Sequence, residues 1–149
     1  MDKILFVCSG NTCRSPFAEK YFNKLARELN VSALASSAGL FASENANACE
    51  NAQAAAKDFG VDSEMRTHRA VQLTANMLNE YDYIITMGSS HLDIIEKAVE
   101  NSVSVKSTQN RLVLGGGISD PFGGSLSDYK NCYSQIADNI NAFIEANYR

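Results

Sequence analysis

The chain has 149 residues, of which 45% are hydrophobic and 20% charged, as expected for one globular domain spanning residues 1–149. A domain of this size buries roughly 68–70% of its unfolded surface, so its core needs no metal or disulfide support. The net charge of −4 argues against a general nucleic-acid binder, which needs a basic face. No apolar run approaches the ~18 residues of a membrane span, so no membrane partner is expected.

The cysteines favour an intracellular protein without a metal. The N-terminus lacks the basic start and small-residue cleavage site of a secretory signal, so we expect a cytoplasmic protein. Cys8, Cys13, Cys49 and Cys132 are then expected to be free thiols. No cysteine–histidine cluster has zinc spacing, so neither a metal nor another cofactor is expected. Cys49 and Cys132 fall on apolar helix faces and are predicted to be buried packing residues.

Strand and helix patterns alternate along the chain. Residues 3–8 form a near-continuous apolar run, typical of a strand buried on both faces. Ser15 is a predicted N-cap, with Pro16 in the first turn of a helix that runs to about residue 29. Further strands are predicted at 32–37, 83–87 and 102–107, and helices at about 46–58, 74–79, 89–99 and 126–147. The alternation predicts an open α/β sheet with helices on both faces and a ligand at the carboxyl ends of the strands.

The loop after the first strand has the chemistry of a phosphate site. A strand that ends in a tight loop and enters a helix points several backbone N–H groups into one concavity, and the helix dipole adds positive potential. Gly10 is predicted to supply an unusual backbone conformation, and Asn11 tolerates left-handed geometry. Arg14 offers a planar fork for two phosphate oxygens. The predicted phosphate-binding residues are Ser9, Gly10, Asn11, Thr12, Cys13, Arg14 and Ser15.

Cys8 is the predicted nucleophile. A thiol that faces a helix N-terminus and the arginine at position 14 is stabilised as a thiolate, and a thiolate beneath a phosphorus atom is placed to attack it. Ser15 is expected to donate a hydrogen bond to that sulfur. The alternative is a buried strand-end cysteine followed by a surface arginine, since a bare C-x5-R pattern is frequent by chance. The strand, the helix and the intervening Gly10-Asn11 favour the phosphate site.

A second motif near the end of the chain supplies the missing acid. Transfer of a phosphoryl group to Cys8 expels a leaving group that needs a proton, and a carboxylic acid is the natural donor. Asp120 precedes Pro121 in a glycine-rich loop that can overhang the site. Phe122 and Phe41 are predicted walls of the substrate pocket, the alternative being that they anchor their loops.

Together these motifs resemble the low-molecular-weight protein-tyrosine-phosphatase family over nearly the whole chain. The resemblance rests on Val7-Cys8-Ser9-Gly10-Asn11-Thr12-Cys13-Arg14-Ser15-Pro16 and Asp120-Pro121-Phe122-Gly123, with Ser36-Ser37-Ala38-Gly39 and Thr67-His68-Arg69-Ala70 between them. It implies a four-stranded parallel sheet flanked by helices, a metal-free reaction and a phosphorylated protein as substrate. It implies that Cys8 is the nucleophile, that Arg14 binds phosphate and that Asp120 is the general acid. It also implies a loop-ordering network of Asn11, Ser15, Ser37 and His68.

Two positions resemble the bacterial protein-arginine phosphatases within that family. Thr12 stands where the family often has an aliphatic residue, and Phe122-Gly123 stands where it often has two tyrosines. A hydroxyl near the scissile bond can meet a polar guanidinium, whereas an isoleucine methyl would crowd and desolvate it. Some relatives with threonine are described as tyrosine phosphatases, so both phosphoarginine and phosphotyrosine remain candidate substrates.

The resemblance also implies a redox role for Cys8 and Cys13, a reversible disulfide that shields the nucleophile; the alternative is that Cys13 is a packed thiol. His91 is predicted to be an exposed helix residue. A thioredoxin-coupled arsenate reductase would need relay cysteines in the middle of the chain, and residues 60–100 contain none. A non-catalytic phosphate-binding module would not need Asp120. We expect a monomer, with a weak dimer as the alternative.

Overall fold

The computed structural model describes residues 1–101 and 109–149. Its strands are β1 (Asp2–Cys8), β2 (Ala33–Gly39), β3 (Tyr83–Thr86) and β4 (Asn110–Val113). They form one sheet of four strands in the order β2-β1-β3-β4, and each neighbouring pair is parallel. The predicted parallel α/β sheet is therefore confirmed. The strand predicted at 102–107 lies outside the described residues, and β4 comes later in the chain.

Helices cover both faces of the sheet. They are α1 (Arg14–Leu29), α2 (Glu50–Ala56), α3 (Asp62–Thr67), α4 (Ser89–Glu100) and α5 (Leu126–Tyr148), with short 3-10 helices at Lys57–Phe59, Ala75–Glu80 and Leu114–Gly116. The helix predicted at 46–58 is shorter than expected, because Cys49 is its N-cap residue and its last turn is 3-10. No helix was predicted where α3 lies. The segment predicted as a helix at 74–79 is a 3-10 turn after Thr74, whose side chain caps nothing in the described residues.

The central strand divides the core in two. Residues 4–7 are fully buried, and their side chains alternate between the faces. Ile4 and Phe6 belong to one cluster with side chains of α1, α2, α3 and α5. Leu5 and Val7 belong to a second cluster with Ile95 of α4 and other residues. Because the two clusters pack against opposite faces of β1, the core fixes the position of the strand's carboxyl end.

Candidate active site

Cys8 ends β1, and its sulfur faces the first turn of α1. The side chain is 2% exposed, and its Sγ lies 2.9 Å from Oγ of the fully buried Ser15. The prediction that Ser15 caps the helix is wrong: α1 begins at Arg14, and Cys13 is the N-cap residue without a side-chain hydrogen bond. The Ser15 hydroxyl is directed at the cysteine sulfur instead, as the sequence analysis expected.

Asn11 holds the loop in shape from inside. It is fully buried with a φ of 56°, and its Nδ2 donates to Oγ of Ser15 at 2.8 Å and of Ser37 at 2.9 Å. Its Oδ1 accepts the Val71 N–H at 2.9 Å, and its carbonyl lies 2.8 Å from Nε2 of His68. A carbonyl can only accept, so His68 carries its proton on Nε2. Burial lowers the pKa of His68 and so favours the neutral ring. The structure thus brings the four predicted loop-ordering residues together.

The loop also depends on a glycine outside it. Gly10 has no positive φ and so does not supply the unusual conformation predicted for it, whereas Asn11 takes the left-handed geometry that it was expected to tolerate. Gly39 ends β2 beside Cys8, and a Cβ there would lie 2.7 Å from the Ser9 carbonyl oxygen and 3.0 Å from the Asn11 nitrogen. Both neighbours are backbone atoms, so the loop can approach β2 this closely only where no side chain intervenes.

Arg14 joins the predicted phosphate-binding loop, residues 9–15 (the phosphate loop), to the loop of Asp120. The arginine is 6% exposed, and its Nη1 donates to the Ile118 carbonyl at 2.8 Å. Its Nη2 lies 3.5 Å from Oδ2 of Asp120, whose side chain is about half exposed at 48%. The other oxygen of Asp120 accepts the Phe122 N–H at 3.0 Å. The guanidinium therefore holds the carboxylate over the loop while one carboxylate face stays open to solvent.

These groups meet in one cleft of about 240 Å³. Its walls are two exposed aromatic rings, Phe41 at 73% and Phe122 at 76% exposed. Thr12 is half-buried in the loop and also lines the cleft. The lining residues are Cys8, Ser9, Gly10, Thr12, Cys13, Arg14, Phe41, Asp120 and Phe122. The predicted nucleophile, phosphate loop, acid and aromatic walls thus share a cleft, although they are spread over more than a hundred positions of the chain.

His91 is a neighbour of the loop that was not predicted from the sequence. His91 was expected to be exposed, but it is 6% exposed and its Nε2 lies 2.9 Å from Oγ of Ser9. Burial, reinforced by the positive charge of Arg14, lowers its pKa. The chain order could have indicated this position. His91 lies in the first turn of α4, directly after β3, and β3 pairs with β1 in parallel, so the carboxyl ends of both strands share one edge of the sheet.

The long last helix, α5, also contacts the loop. The Tyr133 hydroxyl donates to the Cys13 carbonyl at 2.7 Å. Its ring stacks on Phe17 of α1, with centroids 3.9 Å apart and planes 5° apart. In sequence Tyr133 is one member of an apolar stripe, and nothing there distinguishes it from a core residue. The polar end of a buried tyrosine needs a partner, and the loop supplies it.

Within residues 1–101 and 109–149, no group of three His, Cys, Asp or Glu side chains is arranged to hold a metal ion. None of the helices in these ranges has the length and apolar character needed to cross a membrane.

Comparison with known proteins identifies the family. A family model described as low molecular weight phosphotyrosine protein phosphatase matches residues 3–148. The chain belongs to this phosphatase family. It is 33% identical to a protein-arginine-phosphatase of Geobacillus stearothermophilus over 146 residues, which cover 96% of this chain and 94% of the relative. It is also 33% identical to the low molecular weight phosphotyrosine protein phosphatase of Homo sapiens over 153 residues, with coverage of 95% and 93%.

A solved structure of the phosphatase family shares the fold. It is a Cys-to-Ser mutant of the YwlE arginine phosphatase with a phosphorylated active site serine. The similarity covers 99% of this chain and 98% of that one, with 27% sequence identity and a TM-score of 0.83. The family membership inferred from the two end motifs is confirmed.

Proposed function

We propose that this phosphatase hydrolyses phosphorylated side chains of proteins in two steps through a phosphocysteine at Cys8. The observation that carries the proposal is the shared cleft, in which a buried thiol, a buried guanidinium and a solvent-facing carboxylate converge. The alternatives are less well supported. An arsenate reductase relay would need further cysteines, and a simple phosphate binder would need no carboxylate beside Arg14.

In the first step the Cys8 sulfur attacks phosphorus, forming the P–S bond as the bond to the leaving nitrogen or oxygen breaks. Asp120 delivers a proton to the departing atom. Arg14 and the loop amides, at the N-terminus of α1, stabilise the charge on the equatorial oxygens. The orientation of Arg14 is set in advance by the Ile118 carbonyl, so little reorganisation is needed.

In the second step water attacks the phosphocysteine. Asp120, now a carboxylate, accepts the proton of that water, the P–O bond forms and the P–S bond breaks. The sulfur leaves as a thiolate, and the Ser15 hydroxyl at 2.9 Å can donate to it. The same hydrogen bond serves the sulfur as attacking and as leaving group.

Phosphoarginine is the substrate that we favour. The Thr12 hydroxyl in the cleft can meet a guanidinium, and the exposed rings of Phe41 and Phe122 can stack on its plane. The relative from Geobacillus stearothermophilus is named a protein-arginine-phosphatase. Phosphotyrosine is the second candidate, because the human relative, equally identical, is named a phosphotyrosine phosphatase.

The substrate is tested by comparing kcat/KM on matched phosphoarginine and phosphotyrosine peptides. Thr12→Ile is expected to shift the ratio towards phosphotyrosine. Thr12→Val removes the hydroxyl at nearly constant volume, and Thr12→Ser keeps it. We expect the valine variant to follow isoleucine and the serine variant to follow the native enzyme. An unchanged ratio in all three would remove the case for phosphoarginine.

The mechanism is tested on two other residues. Cys8→Ser is expected to abolish turnover of an aryl phosphate while inorganic phosphate still binds; appreciable remaining turnover would exclude Cys8 as the nucleophile. Asp120→Ala is expected to slow aryl phosphates with poor leaving groups more than those with good ones. If both slow equally, Asp120 is not the acid.

A further inference from the structure

Two thiols beside the active site are in direct contact. Sγ of Cys13 lies 3.4 Å from Sγ of Cys49, and both are free cysteines. The Tyr129 hydroxyl of α5 lies 3.4 Å from the first sulfur and 3.3 Å from the second. Cys49 packs against the main core cluster as predicted but is half-buried rather than buried, whereas Cys132 is buried as expected.

The backbone holds the two cysteines together as well. The Cys49 N–H donates to the carbonyl of Thr12, the residue before Cys13, at 3.4 Å. The Cys13 carbonyl is fixed in turn by Tyr133. The thiols therefore face each other because the two chain segments run together, and a bond between the sulfurs requires only a small approach.

Access and reactivity differ between the two sulfurs. Cys49 is half-buried and lines a cleft of about 340 Å³, which shares Phe122 with the active-site cleft. Cys13 is 5% exposed. The hydrogen bond from the Cys13 thiol, helped by Tyr129, lowers the pKa of Cys49 to about 6. The same contact and burial raise the pKa of Cys13. Cys49 is thus the accessible thiolate, and Cys13 is the protonated partner behind it.

We propose that Cys13 and Cys49 are an oxidisable pair that forms a reversible disulfide with hydrogen peroxide and leaves Cys8 as a thiol. The Cys49 thiolate attacks a peroxide oxygen; the S–O bond forms, the O–O bond breaks, and hydroxide leaves. The Cys13 sulfur then attacks the Cys49 sulfenic acid, the S–S bond forms, and the S–O bond breaks. The Cys13 proton leaves with the departing hydroxide as water. In total a thiolate, a thiol and one peroxide give a disulfide, a water and a hydroxide, and the hydroxide becomes a second water by taking up the proton that Cys49 had released.

The consequence concerns the nucleophile. Cys13 can share a disulfide with only one partner at a time, so its bond to Cys49 competes with the Cys8–Cys13 disulfide that the family resemblance implies. Oxidation would then form the Cys13–Cys49 disulfide in the wall of the active site before it modifies the Cys8 sulfur.

Tryptic digestion followed by mass spectrometry identifies which cysteines are paired. It places Cys8 and Cys13 on peptide 4–14, Cys49 on peptide 28–57 and Cys132 on peptide 131–149. The native protein is treated with hydrogen peroxide, blocked with an alkylating agent and digested without reductant. We expect peptide 4–14 cross-linked to 28–57 with one alkylated cysteine, Cys8, and loss of the cross-link on reduction.

Variants then assign the cross-link. Cys8→Ser leaves Cys13 alone on its peptide and is expected to keep the cross-link, whatever the fate of catalysis. Cys49→Ser is expected to remove it, and the matched variant Cys132→Ser to keep it. The proposal is overturned if the Cys8→Ser protein shows no 4–14/28–57 species, or if the native protein yields only the disulfide within peptide 4–14.

Discussion

Asn11 offers the sharpest test of how the phosphate loop is held. Asn11→Ala removes the donor to Ser15 and Ser37 and leaves the Val71 N–H without its acceptor. Leaving a backbone N–H without its acceptor costs about 1–3 kcal/mol of folding free energy. The native φ of 56° adds about 1–2 kcal/mol for an alanine in the left-handed region. We therefore expect the free energy of unfolding to fall by about 2–5 kcal/mol.

Asn11→Gly separates the two contributions. Glycine adopts the left-handed conformation without strain but gives the unfolded chain more freedom, worth about 0.4–1 kcal/mol. The glycine variant is therefore expected to be more stable than the alanine variant by about 1 kcal/mol. Urea unfolding of the three proteins measures both differences. A loss below about 1 kcal/mol in Asn11→Ala, or a glycine variant less stable than the alanine variant, would refute the account of the buried network.

Three further predictions follow from neighbours of the loop. Gly39→Ala places a methyl group against the loop backbone and is expected to lower the free energy of unfolding by about 1–3 kcal/mol and to weaken phosphate binding. His91→Ala removes the contact to Ser9, and a lost hydrogen bond of about 1 kcal/mol corresponds to roughly 5-fold weaker binding of inorganic phosphate. Because the pKa of His68 is lowered on folding, the unfolded chain takes up its proton first, so stability falls as pH drops below about 6.5. His68→Gln is expected to flatten that slope, by up to about 1.4 kcal/mol per pH unit.

Each of these has a matched control. Gly10→Ala, whose new methyl would meet nothing nearer than Oγ1 of Thr12 at 3.7 Å, should be more stable than Gly39→Ala. A Ser9→Ala/His91→Ala cycle in phosphate binding should be non-additive if the histidine acts through the serine; simple additivity would contradict that role. An unchanged pH slope in His68→Gln would mean that other groups, His91 among them, cause the acid lability.

The parts that the sequence predicts best are those with a local cause. The apolar run before Cys8 predicts a buried strand, because a strand with apolar residues on both faces is covered on both faces. The order of Gly10, Asn11 and Arg14 is set by the turn that these residues make. Asp120 and Phe122 could be predicted only in combination with the cysteine loop, because an Asp-Pro turn alone has many uses. Only the tertiary structure shows that both residues lie in the same cleft as Cys8.

What the sequence could not supply depends on contacts between distant elements. Ser15 follows every local rule for a helix cap, yet its hydroxyl is directed at the Cys8 sulfur, and the helix starts at Arg14, two residues before the predicted start. His91 has the sequence context of an exposed helix residue, but sheet order turns it towards Ser9. Cys49 lies 36 positions from Cys13, and no pattern in the chain indicates that their sulfurs touch.

The support of the loop by α5 bears on how the enzyme is made. The predicted phosphate-binding loop is translated more than a hundred residues before Tyr129 and Tyr133, which contact Cys13. Asp120 also comes late. A nascent chain on the ribosome therefore carries Cys8, the proposed nucleophile, before Asp120 and the helix α5, which complete the cleft, have been made. We therefore expect phosphatase activity only after α5 has emerged and docked, and no action of the incomplete chain on the phosphoproteins around it.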